Sequence, residues 1–330
     1  MKKTIGILLL FIVSAIPGTI TFAGSFEETL TTALVALEVK KGESNLLLLS
    51  DAPYVLVDGT FALPYLDIVQ ERTGCTAGKG NLLFFQRPQS HALRFLLMRK
   101  TDGETVIISR EGTDWVSDRM NLSPASIASP SFWEEAKKFK AGKDMGAMAA
   151  IAAVWAQGGP YDFLKSAELH NHICPGLTSG YLIAHYIKNH YPLKDGEKYV
   201  IVASPVWCKE DALQVILDCT PGKHGMIVKH LSKEQVARIS FANPAGMVLV
   251  WNNKTKSGKG YALSFDFDTL KALSPKDSPK AAMVLAAIDH LQEPDRFVTT
   301  AAEFELNEKL FDDIMQAGNN PYQLAGLLKK

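Results

Sequence analysis

The stretch YLDIVQERTGCTAGKGNL at 65–82 returns as KEDALQVILDCTPGKHGM at 209–226. With Cys75 set on Cys219 the match is ungapped: Asp67 meets Asp211, Gln70 meets Gln214, Thr76 meets Thr220, Gly78 meets Gly222 and Lys79 meets Lys223. A chain that carries D-x-x-Q-x(4)-C-T-x-G-K twice builds one supersecondary unit twice.

Each copy has the pattern of an apolar helix stopped by a turn. In the second copy Ala212, Leu213, Val215, Ile216 and Leu217 supply the helix, and Thr220, Pro221 and Gly222 end it. An apolar stretch follows in both, NLLFF and MIVKHL, and then a hairpin signal. The first hairpin, LRFLLMRKTDGETVIISR, turns at Asp102-Gly103; the second, GMVLVWNNKTKSGKGYALSF, has a longer Gly/Lys turn. The expected fold class is α+β: two related α+β units in tandem, each a β-sheet packed against helices, with a helical C-terminal tail. Between the halves, SFWEEAKKFKAGKDMGAMAAIAAVWAQGG predicts a helix from a cap at Ser131 to a stop at Gly158-Gly159. The tail is expected from SPKAAMVLAAIDHLQ and from TTAAEFELNEKLFDDIMQAG, the latter capped at Thr300. The expected boundaries are 24–125 for the first, degenerate unit, 126–275 for the second and 276–330 for the tail.

Residues 1–23 are set apart as a signal peptide. Lys2 and Lys3 precede the apolar TIGILLLFIVSAIPGTITFAG, whose small residues place cleavage after Ala23. A membrane anchor is the competing reading, opposed by Pro17-Gly18 and by the shortness of the run. The mature chain is expected to be periplasmic, with no membrane association after cleavage. Hydrophobic residues make up 47% of the 330 positions, enough for a sizeable core. Lys+Arg and Asp+Glu both number 35, so charge gives no reason to expect nucleic acid as a partner.

The halves differ in one respect that bears on chemistry. Only the second carries LHNHICPGLTSGY at 169–181, which sets His170, His172 and Cys174 at alternate positions before Pro175. Imidazole nitrogen and thiolate sulfur are ligands preferred by zinc and related divalent ions. If 169–173 is extended, the three side chains share a face; if it is helical, only His170 and Cys174 meet. Pro175 favours the extended form for the residue before it and suits the first position of a following helix. Cys174 would then cap that helix, where the unpaired N–H groups and the dipole favour a thiolate.

Cys208 follows the strand candidate KYVIVAS and precedes KEDALQVILDC, so it too is expected at a helix start. The expected ligand set is His170, His172, Cys174 and Cys208, and an open coordination position would make the centre reactive. A disulfide is open in an exported chain, with Cys208–Cys219 as its pair. Against it, Cys75 and Cys219 occupy the same place in both copies, which marks core cysteines. Lys79 and Lys223 are expected as solvated turn residues. GxGxxG, P-loop, HExxH, GxSxG and CxxC motifs are all absent from the chain.

HNHICPGLTSGY, followed by CKEDALQVILDCTPGKHG, resembles the E subunit of molybdenum formylmethanofuran dehydrogenase and its relatives. The resemblance covers 165–265 well and 60–115 through the end of the pattern alone. It carries over as His170, His172, Cys174, Cys208, Asp211, Cys219, Thr220, Gly222 and Lys223. It implies an α+β domain that dimerises around a His/Cys metal-binding or active-site cleft, with this tandem chain as a pseudo-dimer and a homodimer as a further possibility. Asn171 and His224 stand where the family has glycine. Export would separate the chain from a cytoplasmic methanofuran pathway.

The expected function is therefore an exported transition-metal-binding protein holding a divalent ion, zinc above others, in metal handling or in maturation of a partner metalloenzyme. The alternative is a periplasmic enzyme that uses Cys174 as nucleophile or a metal-bound water. The ligand types are common to both, so the sequence leaves catalysis open.

Overall fold

The computed structural model describes residues 18–22, 24–137 and 142–329; the apolar run at 1–17 lies outside them. The first unit comprises β1 (Gly18–Phe22), α1 (Phe26–Ala36), β2 (Leu46–Ser50), the small hairpin β3 (Leu56–Val57) and β4 (Thr60–Phe61), α2 (Leu63–Thr73), β5 (Leu82–Phe84), β6 (Arg94–Arg99), β7 (Glu104–Glu111) and β8 (Asp114–Asn121). Three connecting helices follow, α3 (Pro124–Ile127), α4 (Pro130–Ala136) and α5 (Gly142–Ala156). The second unit comprises α6 (Tyr161–His170), α7 (Pro175–His190), β9 (Glu197–Ala203), α8 (Lys209–Leu217), β10 (Met226–Val228), α9 (Lys233–Ala237), β11 (Pro244–Asn252), β12 (Ser257–Phe265), α10 (Phe267–Lys271), α11 (Lys280–Ile288), β13 (Val298–Asn307), α12 (Glu308–Met315) and α13 (Pro321–Leu324). No helix among the described residues is long and apolar enough to cross a membrane.

The two sheets run β1-β8-β7-β6-β2-β5 and β10-β9-β11-β12-β13. Laid together, β5 corresponds to β10, β2 to β9, β6 to β11, β7 to β12 and β8 to β13. In both, the first of these pairs is parallel and the rest antiparallel. The repeat in the sequence is thus a structural repeat. The one-turn 3-10 helices Ala77–Lys79 and Pro221–Lys223 correspond residue for residue, as do β5 and β10. Gly74 and Gly80 take φ of 70° and 66°, and the aligned Asp218 and His224 take 56° and 52° in the same left-handed region. Lys79 Nζ donates to Gly74 O at 2.7 Å, and Lys223 pairs with the Asp218 carboxylate, so both turn lysines close their own loop. β1 has no counterpart in the second sheet; it pairs antiparallel with β8 inside the segment expected to be the signal peptide.

Two expected helices differ. Residues 298–307 form β13, the outer strand of the second sheet, and not a helix capped at Thr300. The period of AAEFELN is two: Ala302, Phe304 and Leu306 turn inward while Glu303 and Glu305 are exposed. The helix α12 starts only afterwards, with Asn307 Oδ1 accepting the Leu310 N–H at 2.9 Å. The long helix expected from Ser131 is divided into α4 and α5; Ser129 precedes α4, with Pro130 at its first position. Residues 138–141 of that expected helix lie outside the described residues.

Three apolar cores set the layers. Leu46 and Leu48 join α1 and α2 on one face of the first sheet. Leu47 and Leu49, on its other face, join α5, α7 and α8 together with Tyr199 and Ile201 of β9. Val200 and Val202 face the opposite way, toward Ile314 and Tyr322 near the chain end. The back of the first sheet therefore covers the helical face of the second unit. Equivalent faces do not meet, so the tandem is not a two-fold pseudo-dimer of the expected kind. The filler is α5, in which Met148, Ala149, Ile151, Ala152 and Ala153 are fully buried.

Candidate metal centre

The site loop is built by two helix ends. His170 is the last residue of α6, and Asn171 reverses the chain with φ 63°. Asparagine tolerates this region better than most residues, which suits it to the turn. Cys174 is extended and caps α7, its Sγ accepting the Leu177 N–H at 3.4 Å, with Pro175 opening the helix as expected. The extended run expected over 169–173 does not form. The side chains converge all the same, because the left-handed turn folds His172 and Cys174 back beside the helix end. One ligand atom each from His170, His172 and Cys174 lies within 4.8 Å of the others.

The imidazoles are held from behind. His170 Nδ1 pairs with Asp211 Oδ2 at 2.7 Å, leaving Nε2 facing Cys174 Sγ at 3.8 Å. His172 Nδ1 lies 3.2 Å from its own chain at His170 O. Gln214 Nε2 donates to Asp211 Oδ1 at 3.3 Å, so both carboxylate oxygens are engaged. Burial works against charge on the Cys174 thiol, but the two histidines and the Leu177 N–H outweigh it and bring its pKa down to about 5. Burial likewise opposes the His170 imidazolium, and Asp211 with the Cys174 thiolate raises it to about 9.

Cys208 stands at the strand-to-helix junction as expected, at the start of α8. Its thiol interacts with Cys174 but falls outside the group of three. Burial and then the Cys174 charge push it up to about 11. Glycines permit this approach: a Cβ on Gly176 would lie 3.0 Å from Cys208 Cβ, and one on Gly180 only 2.5 Å from Lys209 O. The Cys208–Cys219 bridge is absent, and all four cysteines are free thiols. The nine-residue α8, about 14 Å long, separates that pair, far beyond disulfide reach. Cys75 and Cys219 are core cysteines in equivalent places, donating to Leu46 O at 3.5 Å and Tyr199 O at 3.6 Å.

The first unit supplies a wall. Asn171 Oδ1 accepts the Gln86 N–H at 2.6 Å, and Glu168 Oε1 accepts the Phe84 N–H at 2.9 Å. The edge strand β5 is thereby stitched to the helix end that carries His170. Arg87 lies beside this seam, paired with Asp144 at 2.9 Å. Sequence reasoning placed no role on Arg87 or Asp144, and it took Asp211 only from the family resemblance. Asp67 matches Asp211 in the repeat, so the aspartate looks like a fold residue until His170 is seen beside it.

One edge of the donor set has the size a tetrahedral ion requires. Bonds of about 2.05 Å to nitrogen and about 2.3 Å to sulfur imply an N-to-S edge of about 3.6 Å, against 3.8 Å between His170 Nε2 and Cys174 Sγ. The Asp211 carboxylate behind His170 is the usual outer support of a metal-bound imidazole.

Residues 169–318 match the family described as FmdE, Molybdenum formylmethanofuran dehydrogenase operon. The matched span opens on the site loop and closes beyond α12. No curated protein matches the chain.

Proposed function

We propose that this chain is an exported protein that binds one divalent transition ion, zinc in the first instance, through His170, His172 and Cys174. The observation that carries the reading is the convergence of two imidazoles and a low-pKa thiol in front of Asp211. The donor set of two nitrogens and one sulfur suits zinc and leaves room for one further ligand, for which Cys208, interacting with Cys174, is a candidate. Such an ion supplies Lewis acidity or an activated water when an open position remains. Handling of the ion, or its delivery to a partner metalloenzyme, is the role this reading assigns.

Export is supported by the apolar leader alone, with Lys2 and Lys3 before it and small residues at its end. Elemental analysis of the chain from Gly24 onward, purified without a metal-affinity tag, tests the centre. One equivalent of metal in wild type and none in Cys174→Ala is the expected result; metal-free wild type with four titratable thiols would overturn it.

A second reading rests on the same geometry. Asp211, His170 and Cys174 form a carboxylate–imidazole–thiol chain, the arrangement of an activated nucleophile. Stoichiometric labelling of Cys174 by a thiol ester in metal-free protein favours this reading over a binding role.

A further inference from the structure

We infer that the cleft between the two units is a binding site for a small anion, held at Arg87 and opening onto His172. A cavity of about 380 Å3 is lined by Arg87 from the first unit and by Asp144, Ala147, Asn171 and His172. A second of about 470 Å3 adjoins it through Arg87 and Asn171 and reaches Tyr54 and Gln86. The first is at the small end of the usual range for small-molecule sites.

The charge of this wall is positive. Among the described residues, Asp144 is the only carboxylate lining the first cavity. It is shared by Arg87 at 2.9 Å and by Arg94. Asp51, buried behind them, faces both guanidiniums as well, but burial lifts its pKa to about 7. Below that pH it holds its proton, and two guanidiniums stand against the single charge of Asp144, while His91 Nδ1, 4.0 Å from Asp144, brings no negative charge. Arg87 is fixed in place: its guanidinium lies 4.4 Å from the Phe85 ring centroid and its side chain is 16% exposed. Its Nε is buried without a partner. A rigid guanidinium in the wall of a cavity is a fork for a carboxylate or a tetrahedral oxyanion through its terminal nitrogens.

The neighbour on the far side of the cavity is His172, one of the three converging ligands. An anion anchored at Arg87 therefore extends toward the metal centre. The ligand class is a small mono- or dicarboxylate or an inorganic oxyanion. The anchoring end stands on the cleft alone; the meeting with metal rests on the metal-centre reading above.

The experiment is calorimetric titration of the mature full chain with succinate and with inorganic phosphate at low ionic strength, with metal content measured on the same samples. Saturable binding of at least one probe is expected for wild type. Arg87→Gln is expected to weaken it by about tenfold or more, the effect of losing one charge-assisted hydrogen bond. Arg87→Gln also leaves Asp144 with one partner fewer, so Ala147→Glu serves as the independent variant. It adds a negative charge at the cavity from a helix position that tolerates glutamate, and the same loss is expected. Both variants should keep the metal content of wild type. Absence of saturable binding of either probe by metal-loaded wild type overturns the anion site alone. Unaltered affinity in Ala147→Glu overturns it as well. Anion binding by wild type that carries no metal upholds the anion site and overturns the metal centre.

Discussion

Asp211 Oδ2 lies 2.7 Å from His170 Nδ1, across 41 residues of sequence, and this contact sets the direction in which the other nitrogen of His170 points. It joins α8 to the end of α6 and makes the repeated aspartate of the second unit do something its partner Asp67 does not.

Replacing Asp211 by Asn keeps the shape and removes the charge behind the imidazole. Metal affinity is expected to fall by about 10–100-fold, measured by competition with a chromogenic chelator. Wild-type affinity in Asp211→Asn would show that His170 is oriented by something else.

The thiol of Cys174 is expected to ionise in metal-free protein with a midpoint near about 5, against an ordinary value of 9.0. His170 stays protonated up to about 9, so thiolate and imidazolium coexist between these limits. The folded-state thiol pKa is depressed, so its contribution to stability is lost as pH falls through about 5. The folded-state histidine pKa is raised, so its contribution is lost as pH rises through about 9. Ultraviolet titration of the thiolate band tests the first value. A midpoint above pH 8 in folded, metal-free protein refutes the pairing.

Asp51 is fully buried; Oδ1 accepts the Arg94 N–H at 2.8 Å and Oδ2 has no partner. Burial lifts its pKa from 3.8 to about 7, against the pull of Arg94 and Arg87. Between these values the native state holds a proton that the unfolded chain releases, so stability falls as pH rises from about 4 to about 7. Thermal melts across that range should show the decline in wild type and a flatter profile in Asp51→Asn. Equal slopes would mean the carboxyl is not the cause.

Gly180→Ala is expected to destabilise the chain by about 1–3 kcal/mol, because its Cβ would meet Lys209 backbone atoms at 2.5 and 2.6 Å. Neither helix backbone can yield locally, so α7 and α8 must part and the Cys174–Cys208 contact loosens. Gly222→Ala is the control, since nothing lies within 4 Å of its Cβ. Urea unfolding of the two variants side by side decides it; similar midpoints would show that the helix contact adapts.

Much of the architecture was legible in the chain. The ungapped repeat foretold paired helix–turn–strand units, and Pro175 and the KYVIVAS run located the helix and strand that flank the site. The failure at β13 has a physical cause. TTAAEFELN holds good helix formers, yet its inward residues repeat every second position, and an open edge on β12 was there to receive them. The repeat itself implied this strand, since β8 needed a counterpart, but the matching residues stop well short of it.

The site divides the same way. Local spacing alone brought His170, His172 and Cys174 to notice, because metal-ligating types are distinctive wherever they cluster. Their meeting depends on a left-handed turn at Asn171, which spacing does not encode. Asp211, Arg87 and Asp144 are ordinary charged residues in the sequence. They acquire roles only when α8 docks on α6 and when the back of the first sheet covers the second unit's helices. Periodicity reports which face of an element is apolar; which element covers that face is settled by shape and burial over the whole chain.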